Sequence, residues 1–303
     1  MRTKLFILIP TFIILAFVVL ACKKQDKETF LFNHRLTSET SYSNNILLGQ
    51  TSVEYSGNNI SKVIGTGYNN GVANYTSTYI ITYPSNNSIS ITLTNIENNL
   101  TSTETQDVTL SNNRISESTN VNSNGKNKIS FVYNSDGKVV KTSEYDYKTT
   151  WVLAAETNYT YNSGKLTEQS KNSANPTSNY QEKDIITYTG EEIKEVIHSN
   201  NQSGGALIEW GKDIYTYSGV AISKITGYSK NTGTLTWAAS GMVTDFVYDS
   251  DGNLISQSRT DPYAGGIIDK DTYTYQDGSG NFLQILEALG GANNSMYPLP
   301  HKK

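Results

Sequence analysis

From about residue 50 the chain alternates between apolar and polar positions. Runs such as Tyr159-Thr160-Tyr161 and Tyr215-Thr216-Tyr217 put Tyr on one side and Thr on the other. That period of two is the pattern of a half-buried strand. Each run ends in a polar turn, and an apolar residue then opens a second run. The turns include Asn162-Ser163-Gly164-Lys165, Thr189-Gly190-Glu191-Glu192 and Asp249-Ser250-Asp251-Gly252-Asn253. Gly and Asn accept the positive φ values that tight hairpins require. The pattern therefore predicts β-hairpins.

The hairpin unit recurs nine times. Its strand-closing positions are Tyr55, Tyr83, Leu110, Tyr133, Tyr161, Tyr188, Tyr217, Tyr248 and Tyr275, spaced 23 to 31 residues apart. The residues that open the second strands are Ile60, Ile89, Ile115, Val139, Leu166, Ile193, Ile222, Leu254 and Phe282. Ile60-Ser61-Lys62-Val63 parallels Ile222-Ser223-Lys224-Ile225. Nine hairpins give about 18 strands. One hairpin alone is marginal in water, so neighbours must cover each apolar face. The expected fold is all-β: tandem hairpins forming one large curled antiparallel meander sheet or open barrel, with Tyr, Ile, Leu and Val inside. Its outer face would carry Thr, Ser, Lys and Asn, unlike the apolar band of a transmembrane barrel. Residues 282–290 and 29–50 read as caps on the two ends of the array.

The N-terminus follows a different pattern. Arg2 and Lys4 precede an apolar run from Leu5 to Ala21 that ends in Val19-Leu20-Ala21-Cys22. This resembles the lipobox of bacterial lipoproteins. The resemblance implies cleavage before Cys22 and diacylation of its thiol. It divides the chain into a signal peptide (1–21), a lipidated Cys and tether (22–29) and a β-repeat domain (30–303). Lys23 follows the cysteine, not the Asp that resembles an inner-membrane retention signal. The expected location is the outer membrane, lipid-anchored, facing either the surface or the periplasm.

Tyr248-Asp249-Ser250-Asp251-Gly252-Asn253-Leu254 resembles the YD, or RHS, repeat. Tyr133-Asn134-Ser135-Asp136-Gly137-Lys138-Val139 is a near match. The resemblance covers about residues 50–290 and implies long β-sheets that spiral into shells. The spacing here is longer than the RHS unit, and no processing core or toxin segment is recognisable. The chain is more similar to secreted lipoproteins of unknown function with YD-like repeats and a proposed porin-like β fold. That likeness implies architecture and no chemistry.

Composition narrows the function. The 303 residues are 36% hydrophobic and carry a net charge of −4, which becomes −6 once Arg2 and Lys4 leave with the leader. A nucleic-acid partner recognised through basic charge is excluded on this balance. Cys22 is the only cysteine, so no disulfide framework or cysteine zinc site is expected. No Gly-x-Ser-x-Gly elbow, P-loop or dinucleotide fingerprint is present, and no cofactor is expected. Glu191, Glu192 and Glu195 crowd one repeat but read as a solvated turn and strand face. Asp249, Asp251 and Asp277 lie in turns whose oxygen spacing resembles calcium-ligand spacing, although hairpin turns use the same residues. His34, His198 and His301 show no metal-ligand spacing. Trp151, Trp210 and Trp237 lie near long polar connections, where an aromatic face beside amides and carboxylates suits a sugar ring. The expected function is a binding or scaffolding module for polysaccharide, peptidoglycan or an outer-membrane protein. The alternatives are a shell-forming surface protein or a carboxylate glycosidase.

Overall fold

The computed structural model describes residues 34–174, 179–201, 205–231, 233–262 and 266–277. The signal peptide, Cys22, Phe282, His301 and the expected C-terminal cap lie outside them. Among the described residues there are eighteen strands. The first nine are β1 (His34–Ser43), β2 (Ile46–Ser56), β3 (Asn59–Asn69), β4 (Val72–Ser85), β5 (Ser88–Glu97), β6 (Leu100–Ser111), β7 (Arg114–Asn122), β8 (Gly125–Tyr133) and β9 (Val139–Tyr147). The second nine are β10 (Trp151–Asn162), β11 (Lys165–Ser173), β12 (Gln181–Thr189), β13 (Glu192–Asn201), β14 (Ile208–Ser218), β15 (Ala221–Lys230), β16 (Trp237–Tyr248), β17 (Leu254–Asp261) and β18 (Ile267–Asp277). Each pairs antiparallel with its sequence neighbours, and β1 also pairs with β18. The sheet closes on itself into a barrel and leaves no open edge.

Two kinds of end result. At one end the hairpins turn tightly through the predicted polar residues. Ser163 and Gly164 both have positive φ, 49° and 79°, as do Asn112 and Asn113 at 52° and 60°. Positive φ at both central positions defines the hairpin turn whose twist matches its strands. All nine aromatic-end pairings carry a register shift beside the strand-closing residue. In four hairpins the hydroxyl after the opener donates across the shift, as Thr167 does to the Thr160 carbonyl.

The strand-closing Tyr residues link one unit to the next. Six of the hydroxyls donate to the carbonyl of the previous unit's opener: Tyr83 to Ile60, Tyr133 to Ile115, Tyr161 to Val139, Tyr188 to Leu166, Tyr248 to Ile222 and Tyr275 to Leu254. Tyr55 donates to Leu36. Leu110, the one non-aromatic, has no hydroxyl to give. Cations cover four of these rings: Arg35 over Tyr55, Arg114 over Tyr133, Lys138 over Tyr161 and Lys165 over Tyr188, at 5.1–5.6 Å.

Leu36 corrects the expectation for the N-terminal segment. Residues 29–50 were expected to cap the array, but their described part forms β1 and the start of β2. Leu36 lies opposite Tyr275 and is 4% exposed. It completes the ninth unit, the place the sequence pattern gave to Phe282. The reason is edge satisfaction: an uncovered β2 and β18 would each present a row of unpaired amides.

The openers and their neighbours fill the barrel at this end. Ile60, Ile115, Ile193 and Val196 are at most 1% exposed. Phe131 packs against the clusters on either side of it, and Phe246 does the same further round, so the apolar layer is continuous there. The outer wall alternates with it and is mixed, with exposed Ile80, Val132, Ile185 and Val247 set among polar residues. Cross-strand ion pairs such as Glu54–Lys62, Glu168–Lys183 and Lys224–Asp245 line its middle.

Candidate functional site

The opposite end of the barrel, its mouth, has a polar interior and longer connections after β11, β13, β15 and β17, while the turns after β1, β3, β5 and β7 are as tight as those at the first end. The inward positions that carry Ile186 and Val196 in the core carry Asp184 and His198 two residues nearer the mouth. These two lie directly opposite each other on β12 and β13. His198 Nδ1 is 2.8 Å from Asp184 Oδ1, and its Nε2 is 3.4 Å from Asp213 Oδ2 on β14. Burial alone would lower the imidazole pKa. The two carboxylate hydrogen bonds and charges outweigh it and raise it to about 9. At neutral pH the ring is an imidazolium held at both nitrogens. It is therefore a fixed charge and not a general base.

Trp210 sits over that ring. The pairing of β13 with β14 shifts between His198 and Ser199, where Gly211 faces His198 and Glu209 faces Ser199. Trp210 is the extra residue of this bulge, and bulges re-aim side chains. Its indole stacks on the imidazole at 5.5 Å and 30°, yet the residue stays 54% exposed. Gln169, Lys171, Glu182, Asp184, His198 and Trp210 line a cavity of about 230 Å³. Lys171 is braced by Glu144 at 2.8 Å. The cavity thus joins an aromatic surface to acids, a cation and amides.

The other two tryptophans lie elsewhere. Trp151 and Trp237 open β10 and β16 and sit on the outer wall in two equivalent settings. Lys128 pairs with Glu117 at 3.0 Å and lies over Tyr145 and Trp151 at 5.2 and 5.0 Å. Lys212 pairs with Glu195 at 3.7 Å and lies over Tyr228 and Trp237 at 5.4 and 5.0 Å. Lys128 is directly opposite Tyr145, and Lys212 directly opposite Tyr228. Each ladder sets a lysine ammonium over its indole, a cation–π contact on the outer wall. The structure therefore does not bring the three tryptophans together.

The remaining candidates resolve locally. Asp249 accepts hydrogen bonds from the Asp251 and Asn253 amides and from Asn253 Nδ2, all within its own turn. Those bonds hold its carboxyl below the usual range against the opposing pull of burial. Asp251 is exposed in the same turn, and the side chain of Asp277 lies outside the described residues. Glu191 pairs with Lys165 and Glu195 with Lys212, so the carboxylates crowded in sequence part in space. Among the described residues no three His, Cys, Asp or Glu side chains gather as metal ligands. His198, Asp184 and Asp213 escaped sequence reasoning. A polar residue at an inward position of the alternation was the signal that could have found them.

No family model matches the chain, and no curated protein matches its sequence. Among solved structures, it is similar to a porin-like protein from Bacteroides uniformis: 9% identical, covering 80% of this chain and 96% of that one, TM-score 0.42. A porin-like protein from Bacteroides vulgatus is 11% identical over 80% of this chain and 98% of its own, TM-score 0.35. A TcdB2-TccC3-Cdc42 structure is 10% identical over 74% of this chain and 15% of its own, TM-score 0.28.

Proposed function

We propose that this chain is a lipid-anchored, water-facing barrel of the outer membrane that binds a glycan at its mouth. The observation that carries this is the Trp210 cavity. A sugar ring has an apolar face and a polar rim, and here a half-exposed indole stands beside Lys171, Glu182, Gln169 and Asp184. The indole is preorganised by the doubly held His198, which lowers the ordering cost of binding. The cross-strand ion pairs among the outer-wall residues, such as Glu54–Lys62 and Glu168–Lys183, support a barrel standing in water rather than in lipid. Cys22 supplies the anchor, since two acyl chains suffice for stable attachment.

The test is a glycan array followed by calorimetry on residues 23–303. Trp210→Ala is expected to weaken the best glycan at least about tenfold, the scale of one good aromatic contact. Trp151→Ala and Trp237→Ala are expected to leave affinity within about twofold. No glycan binding, or equal loss in all three variants, would contradict the reading. Protease treatment of intact cells then decides whether the mouth meets external glycans or peptidoglycan.

A further inference from the structure

The barrel closes between β1 and β18, and the interior side of that seam holds two carboxylates. Glu39 on β1 lies opposite Tyr273 on β18 and Thr51 on β2. It is 3% exposed, and among the described residues its Oε2 has no hydrogen-bond partner. A buried carboxyl oxygen without a partner is costly and calls for an explanation. Asp271 lies two residues from Tyr273 on the same face, opposite Ser41. Its Oδ2 accepts a 2.9 Å bond from Gln257 Nε2. Burial first, and the Asp271 charge second, push the Glu39 carboxyl up to about 8. The phenol of Tyr273 is raised too, by burial and by the fields of both acids, and that of Tyr275 by burial and by Asp249 and Glu39.

The inward groups at this seam carry oxygen: two carboxylates, the hydroxyls of Thr51 and Ser41, and the amide carbonyl of Gln257. Such a set suits a hard cation, and calcium tolerates irregular geometry where magnesium demands an octahedron. We propose that Glu39 and Asp271 hold a calcium ion in the closing seam of the barrel. The ion occupies the orphaned oxygen, relieves the repulsion between the acids, and ties the first strand of the ring to the last. This site is separate from the glycan cavity, and neither depends on the other.

The experiment uses residues 23–303 stripped with EDTA and titrated with calcium chloride at pH 7.5, read by calorimetry and thermal unfolding. Saturable binding and a rise in Tm are expected. Glu39→Gln and Asp271→Asn keep the side-chain shapes without the charge, and each is expected to fold and lose the calcium-dependent Tm shift. No shift in the wild-type chain, or the same shift in both variants, would overturn the proposal.

Discussion

The two ends of these strands obey different rules. At the turn end, openers and strand-closing residues repeat around the ring, and most units donate a Tyr hydroxyl to the unit before them. At the mouth the repeat breaks. The same inward faces carry His198, Asp184, Asp213 and the Glu144–Lys171 pair, and a bulge presents Trp210. The apolar end is where the chain specifies a closed ring. The polar end is where it departs from the repeat and gains recognition chemistry.

That contrast can be broken from either end. The largest effect is expected from pH at the seam. Glu39 titrates near 8 when folded against an ordinary value of 4.5. A raised acid gives stability that is full below its unfolded pKa and lost as pH climbs through its folded one. In EDTA, stability should fall between about pH 4.5 and 8, by roughly 4–5 kcal/mol, and Glu39→Gln should flatten the slope in urea titrations. Next comes the core. Ile193 is 1% exposed, and Ile193→Ala should cost about 2–5 kcal/mol in the same assay.

The mouth should respond more weakly and with its own pH window. His198 is raised from 6.5 to about 9, so its contribution is full below 6.5 and lost as pH rises through 9. That loss should amount to about 3 kcal/mol or less, because Asp213 is a third exposed. NMR titration of the His198 ring checks the value. Tyr188→Phe, which leaves the Leu166 carbonyl without its donor, should cost about 1 kcal/mol. The smallest expected effect is Trp210→Ala, under about 1 kcal/mol of stability because the residue is half exposed. Its loss should appear in binding. A large stability loss there would remove the distinction between the two ends.

Much of the ring was legible in the sequence because its causes are local. Turn residues, period-two alternation and the Tyr-to-opener spacing located the hairpins and the buried positions. Closure was not legible, because β1 pairs with β18 across more than two hundred residues. Leu36 carries no turn signal before it to mark it as an opener. The cavity was half legible: Trp210 stood out as an aromatic near a long polar connection. Its partner His198 did not, because only the register of β12, β13 and β14 brings the two aspartates to its nitrogens. Glu39 stands between Ser38 and Thr40 with nothing in the sequence to mark it, and the pairing of β1 with β2 and β18 buries it.

Both proposed sites lie inside the ring, so both depend on closure. Thr40 and Thr272 face each other across the seam on the outer wall, as Thr226 and Val243 do between β15 and β16. Residues 23–303 contain no cysteine, so a Thr40→Cys/Thr272→Cys variant has a single pair to oxidise. A closed barrel is expected to form an intramolecular disulfide as readily as the Thr226→Cys/Val243→Cys control. Bridging in the control with none across the seam would contradict closure.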